Sequence, residues 1–209
     1  MERDIMIVGA GGWGREAVWT LERINAKEPT WNVIGFADDD PAKAKGSLEG
    51  YPMLGSVEKA SKDHPGAAVY VAVGDNAVRE KIYRRLRGHD FPVIIDPSAE
   101  VAPTAELRHG VFVGPQAVVS VGAELGKFAI VNARAGVGHD NRLGDFAQVC
   151  PGATLGGHAT LGAHAYVGSN ATVAPGVTVG ANAKIAAGTP AYADVADGET
   201  LSPFGSLKR

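Results

Sequence analysis

The sequence is poor in several features at once. It has one cysteine, Cys150, no apolar run near the length of a membrane span, an aromatic share of only 7%, and no surplus of basic charge. A single thiol cannot close an intramolecular disulfide, so no disulfide framework is expected. A spanning helix needs about 20 apolar residues, and none is present, so no membrane partner is expected. The opening MERDIMIVGAGG has too short an apolar run for a secretory signal, and the expected location is the cytoplasm. Lys and Arg number 20 against 23 Asp and Glu, with no basic stripe to neutralise a phosphate backbone, so a nucleic-acid partner is not expected. Hydrophobic residues at 45% and charged residues at 21% describe an ordinary globular chain, and 209 residues allow one large domain or two small ones. Against these shortages stand 28 glycines, roughly twice the usual ~7%.

The glycines belong to a repeat. Stepping by six from Ile95 to Ile185 meets sixteen residues, all Val, Leu or Ile, among them Val119, Val137 and Leu155. Four positions after each comes a second class, from Ala99 to Thr189, in which twelve of sixteen are alanine. The position after the aliphatic is glycine at 114, 126, 138, 144, 156, 162, 168 and 180. Short strands joined by tight corners suit this period: the aliphatic and the small residue point inward, and the glycine is expected to ease the corner. A β-sandwich would need period two with turns every 8–12 residues instead. The pattern predicts a gapless β-helix over 95–190. This stretch holds only five basic and six acidic residues, so its flat, Ala/Gly-rich faces suit burial against copies of themselves.

The residues before the repeat read differently. Residues 4–8 form a predicted strand running into Gly9, Gly11, Gly12 and Gly14, followed by a helix over Arg15–Asn25 and a strand over Val33–Phe36. Such a βαβ unit lets a phosphate approach glycine backbone at the positive end of a helix. Asp38, Asp39 and Asp40 follow the second strand, where a carboxylate can accept hydrogen bonds from a ribose or a base. A third strand over Ala67–Val73, a helix over Ala77–Arg87 and a fourth strand over Phe91–Ile95 complete a small α/β domain. A dinucleotide-binding dehydrogenase would need about 100 further residues, but the repeat begins at once. The expected organisation is an α/β Rossmann-like domain over 1–94, a β-helix over 95–190 and a tail over 191–209 that leaves the repeat.

The hexads resemble those of the hexapeptide-repeat acyltransferases, whose left-handed parallel β-helix winds in triangular coils of three hexads. The resemblance supplies the handedness, since parallel crossovers are normally right-handed. Residues 18 apart then eclipse one another. GAGGWGRE, GFADDD, YPMLGS, VAVGDNAVREK and DPSAEVAPTA, followed by uninterrupted hexads, resemble the bacterial sugar acetyltransferases that modify nucleotide-linked amino sugars, together with the sialic acid O-acetyltransferase group. That resemblance implies a homotrimer, an N-terminal domain that holds the nucleotide-sugar and a β-helix that holds acetyl-CoA. It places Gly11 and Gly12 against the nucleotide-sugar, Asp38 and Asp39 at the base and ribose, and Gly74 and Asn76 in the same pocket. Trp13 stands where many members have histidine, and its indole either stacks on the sugar or covers the turn.

Acetyl transfer from a thioester needs a base, a donor for the carbonyl oxygen and strict positioning. Of six histidines, His64 and His89 fall in the N-terminal domain and His109 precedes the candidate region, leaving His139, His158 and His164. The resemblance makes His139 the general base, with Asp140 holding its imidazole; Gly138 stands where relatives often carry glutamate. Adding 18 to 139 gives Gly157, where a glycine leaves room for the thioester, and the resemblance implies that its N–H binds the oxyanion. His158 is expected in the pocket wall or on the surface, and Gln148 falls where some relatives place a second histidine near the acetyl group. Asn132 is given a positioning role. Asn141, the one amide in the small inward series, either braces the His139 corner or bridges neighbouring coils. Cys150 is not expected to act as nucleophile, because transfer in this fold is direct. The tail reads LSPFGS, departing from the glycine-x-proline-alanine motif that relatives place near the CoA tail.

The leading expectation is an acetyl-CoA-dependent N-acetyltransferase acting on a nucleotide-linked amino sugar. O-acetylation of a sialic acid or a related sugar and a non-catalytic nucleotide-sugar-binding trimer are the alternatives. The same β-helix also serves metal-dependent carbonic anhydrases with three histidines bridging subunits; His158 and His164 fall on different faces, and no metal is expected.

Overall fold

The computed structural model describes residues 2–43, 45–203 and 205–207. The chain divides into two compact units, Met1–Pro92 and Val93–Arg209.

In the first unit, β1 (Arg3–Val8) runs into α1 (Gly12–Asn25) and β2 (Trp31–Ala37). β3 (Ser47–Leu48) and β4 (Tyr51–Gly55) precede a short α2 (Val57–Asp63), then β5 (Ala68–Val71) and α3 (Asn76–Arg85). The sheet order is β3-β4-β2-β1-β5, parallel except for the β3–β4 pair. Central β1 is buried from Ile5 to Val8, as a parallel strand covered on both faces must be. β3, β4 and α2 were not predicted. The predicted strand over Phe91–Ile95 is corrected as well. Only Ile94–Ile95 is a strand, and it pairs with Phe112–Val113 in the second unit. Pro92 has no N–H to give a ladder, which interrupts the run despite its apolar residues.

The second unit is a left-handed parallel β-helix. Two-residue strands stack every 18 residues into three sheets. The first face runs from Ile94–Ile95 through Gln148–Val149 to Lys184–Ile185, the second from Glu100–Val101 through Gly136–Val137 to Pro190–Ala191, and the third from Glu106–Leu107 through Arg142–Leu143 to Thr178–Val179. The interior is the two predicted series, Val, Leu and Ile with Ala between them, most of it fully buried.

Two details of the repeat differ from expectation. None of the eight glycines that follow the aliphatic has a positive φ. A Cβ at each would lie 2.4–2.9 Å from an atom of the next coil, for example 2.4 Å from the Ala181 nitrogen at Gly162. These glycines let coils approach; they do not ease the corner. The positive-φ seat lies two residues later, and Gln116, Phe128, Arg134, Asp140, Phe146, His158, His164, Asn170 and Asn182 occupy it alongside six glycines. Side chains from this seat lean over the preceding coil. A Cβ at Gly110 would strike the Phe128 ring at 2.6 Å, and Phe128, Phe146 and His164 stack 5.2 and 5.3 Å apart.

The tail does not leave the coil where the repeat ends. Val195 bridges Val179, and Thr200–Ser202 pairs in parallel with Lys184–Ile185. The chain completes one more turn in 16 residues instead of 18, so stepping by six loses it. Phe204 of the tail motif lies outside the described residues.

Candidate active site

The corner between the second and third faces carries Gly138, His139, Asp140 and Asn141, and one coil later Gly156, Gly157, His158 and Ala159. His139 Nδ1 is 2.9 Å from Asp140 Oδ2. That bond holds the Asp140 carboxyl below the usual carboxylate range. With Nδ1 as donor to a carboxylate, Nε2 of a neutral imidazole is an acceptor. Nε2 is aimed at Gly157, where an added Cβ would sit only 2.3 Å from it. The Gly157 N–H has no partner among the described residues. Both side chains of the dyad are about half exposed.

The coil fixes this arrangement. His158 N–H donates to the His139 carbonyl and Asp140 N–H to the Val121 carbonyl, each at 2.9 Å. Asn141 is fully buried, and its Oδ1 accepts from the Ala159 N–H at 2.7 Å, so it bridges to the coil carrying His158. Glutamate cannot take the place of Gly138 without displacing the neighbouring coil, because a Cβ there would meet the Leu155 carbonyl oxygen at 2.7 Å and the Gly157 nitrogen at 2.9 Å. Asp140 therefore orients the imidazole from the other side. Its carboxylate faces a second ring: His158 Nε2 lies 3.7 Å from Oδ2, and the two imidazoles meet edge to face at 4.9 Å.

In the first unit, the four glycines of the β1–α1 turn divide into pairs. A Cβ at Gly9 would strike the Ala72 carbonyl oxygen at 2.5 Å, and one at Gly14 the Gly9 oxygen at 2.1 Å, so packing requires both. Gly11 and Gly12 are exposed, with nothing within 4 Å of an added Cβ. α1 begins there without a side-chain cap or an acidic residue in its first turn, leaving its positive end open. Asp38 closes the base of the turn, with Oδ2 accepting from the Ala10 N–H at 2.8 Å and Oδ1 from the Asp40 N–H at 2.9 Å. Asp39 accepts from the Val57 N–H at 3.0 Å and pairs with Arg85 at 2.5 Å, and the Arg85 bond lowers its carboxyl pKa. Both carboxylates thus hold the fold locally, though each oxygen has a second lone pair to offer.

Residues 4–86 match the PglD N-terminal domain model, and residues 158–189 match the bacterial transferase hexapeptide (six repeats) model. No curated protein matches the sequence. Among solved structures, the acetyltransferase domain of PglB from Neisseria gonorrhoeae FA1090 is 31% identical over 100% of both chains, with a TM-score of 0.89. A histidine-to-asparagine mutant of perosamine N-acetyltransferase from Caulobacter crescentus, in complex with CoA and GDP-perosamine, is 29% identical over 99% of this chain and 96% of that one, with a TM-score of 0.89. WeeI from Acinetobacter baumannii AYE is 25% identical over 98% and 99%, with a TM-score of 0.87. The chain belongs to the hexapeptide-repeat sugar acetyltransferases.

In this acetyltransferase, four of the expected site residues share one corner: His139, Asp140, Gly157 and His158. Gln148 is not among them. It lies on the first face, buried, with its Nε2 3.7 Å from Cys150 Sγ. Burial raises the Cys150 thiol pKa, the reverse of what a nucleophile needs. Asn132 Oδ1 accepts from the Ala133 N–H at 2.6 Å, at the corner between first and second faces. The Trp13 indole nitrogen is buried inside the first unit. Asn76 Oδ1 accepts from Arg79 at 2.8 Å, and the same guanidinium bonds the Val73 carbonyl at 2.9 Å and, more loosely, that of Gly74 at 3.5 Å. Arg79 is 1% exposed, and burial lowers its pKa to about 10. Sequence reasoning missed it, since an arginine in a helix reads as a surface residue. It also missed the contact of His158 with Asp140, although adding 18 to 140 gives 158.

Proposed function

We propose that this acetyltransferase is an acetyl-CoA-dependent N-acetyltransferase acting on a nucleotide-linked amino sugar, by direct transfer with His139 as general base. One observation carries the reading: the imidazole is held by Asp140 at 2.9 Å with Nε2 facing a residue that has no side chain. His139 Nε2 takes the proton of the attacking amine as the new C–N bond forms. Asp140 stabilises the imidazolium, and the Gly157 N–H is positioned for the acyl oxygen. The imidazolium then returns its proton to the departing thiolate as the C–S bond breaks. The relatives crystallised with acetyl coenzyme A, or with CoA and GDP-perosamine, support both substrate classes.

Within this reading the first unit holds the nucleotide-sugar. Gly11 and Gly12 admit the pyrophosphate to the open end of α1, with Trp13, Asp38, Asp39, Gly74 and Asn76 around it. The β-helix holds the acyl donor beside Gly157 and His158, with Gln148 as a further contact, and the assembly is a homotrimer. Exposed Val118 and Val121 on and beside the weakly charged second face support such assembly. The location proposed is the cytoplasm.

The test is thioester cleavage with UDP-, GDP- and dTDP-linked amino sugars and their hydroxyl analogues. Amine acceptors are expected to turn over, and His139→Ala to lower the rate by about 10²–10⁴-fold with the oligomer intact. Near-normal turnover in that variant removes His139 as base, and turnover of hydroxyl acceptors alone replaces N- with O-acetylation.

A further inference from the structure

The same corner has a second chemical capacity. We propose that His139, Asp140 and His158 form a binding site for a divalent transition-metal ion of the zinc type, and that the bound ion switches off acetyl transfer. The inhibitory part rests on the reading of His139 as base; the binding part does not.

Three donor atoms converge there, all within 4.8 Å of one another. His139 Nδ1 and His158 Nε2 stand 2.9 and 3.7 Å from Asp140 Oδ2. Bonds of about 2.0–2.2 Å in a tetrahedral site put neighbouring ligand atoms roughly 3.3–3.5 Å apart, and the two distances bracket that separation. Closing the third edge needs only a small rotation of half-exposed side chains on backbones already fixed by the coil. The site has a built cause. Asp140 and His158 both occupy the positive-φ corner seat, whose side chains lean over the preceding coil, so His158 is directed back onto Asp140. No lysine or arginine occurs in the corners of this column at 102–105, 120–123, 156–159 or 174–177. Among the described residues, the carboxylate's ion-pair partners are the two imidazoles.

Two imidazoles and one carboxylate suit zinc, cobalt and nickel better than magnesium or calcium, which take oxygen donors. The fourth position opens to solvent. The consequence for catalysis follows from the tautomer. In the base form Nδ1 carries the proton and donates it to Asp140, leaving Nε2 as acceptor. An ion on Nδ1 displaces that hydrogen bond, and the one proton of a neutral imidazole then resides on Nε2. The atom facing Gly157 becomes a donor and can no longer accept a proton, so the ion inhibits.

Titration of metal-stripped protein with zinc against a chromophoric chelator, without substrates, is expected to give one ion per chain. His158→Asn and Asp140→Asn are each expected to weaken it by more than about tenfold. Asparagine tolerates a positive φ, so both variants keep the corner; matching circular dichroism and oligomer size verify this. Cobalt in place of zinc is expected to give the intense visible absorption of a four-coordinate ion. No saturable binding, affinity unchanged in both variants, or only the weak band of hexahydrated cobalt overturns the site. In the acetyl-transfer assay, zinc is expected to lower the wild-type rate, a chelator to restore it, and His158→Asn to show a much smaller ratio between the two. Wild-type turnover undisturbed by saturating zinc overturns the switch. A protein that bound zinc at this corner but acetylated no amino sugar would sink the functional reading and leave the site standing.

Discussion

Glycine does different work in the two units. In the β-helix the glycines after each aliphatic are packing residues, with the next coil's backbone 2.4–2.9 Å from where a Cβ would be. In the α/β unit Gly9 and Gly14 play that part, but Gly11 and Gly12 face open space. A glycine demanded by neighbouring backbone is explained by the fold. One that nothing demands, at the uncapped start of a helix, is explained by what approaches from outside. Gly157 stands between these cases: what an added Cβ would meet is the working end of a flexible side chain, His139 Nε2 at 2.3 Å.

The largest effect expected from this contrast is at Gly157. Gly157→Ala pushes the imidazole aside, since the three atoms nearest its Cβ all belong to the His139 ring, and misplacing a reacting group by about 1 Å can cost about 10²-fold in rate. Turnover should fall by that order while the unfolding midpoint stays within the wild-type range; a midpoint lowered in step with the rate would make Gly157 a packing glycine like the others. Gly162→Ala should do the opposite. Its Cβ meets the Ala181 nitrogen at 2.4 Å, which cannot yield without opening the coil, so a loss of about 1–3 kcal/mol is expected in denaturant unfolding. A variant as stable as wild type would break the distinction.

These predictions use the part of the molecule that was most legible. The sixteen-fold aliphatic period, read with the three-hexad coil that the resemblance supplies, carried His139 onto Gly157, because a repeat that buries two residues of every hexad leaves no freedom of register. The α/β unit was legible only where apolar runs were long. Ser47–Leu48 and Tyr51–Gly55 are too short and too interrupted by Pro and Gly to announce themselves. Phe91–Ile95 announced a five-residue strand of which only Ile94–Ile95, beyond Pro92, forms. The positive-φ seat escaped notice because phenylalanine, histidine and arginine fill it as well as glycine and asparagine. Arg79 and the second ring on Asp140 were hidden for a related reason, since both are contacts of the folded chain that local pattern does not register.

A smaller effect is expected at Gly12. Gly12→Ala meets no neighbour and favours helix, so stability should be unchanged or rise by about 0.5 kcal/mol. Affinity for a nucleotide-sugar should fall by about tenfold, equivalent to about 1.4 kcal/mol, in calorimetric titration. Unchanged affinity would return Gly12 to the turn and remove the phosphate from it.

The smallest effect concerns Asp39, whose sequence position marked it for a ligand and whose contacts tie it to the fold. Asp39→Asn keeps an acceptor for the Val57 N–H but loses the ion pair with Arg85. Both side chains are nearly half exposed, so solvent screens the pair and only about 0.5 kcal/mol is expected. The sign in pH follows from the lowered carboxyl pKa. The pair's stabilisation is fully present above the unfolded carboxyl value of about 3.9 and is lost as pH falls through the lower folded value. The difference in unfolding midpoint between wild type and variant should therefore hold at neutral pH, shrink in high salt, and close as the solution is acidified below about pH 4. A variant as stable as wild type at neutral pH and low salt would remove the scaffold role and leave Asp39 only the ligand contact proposed for it.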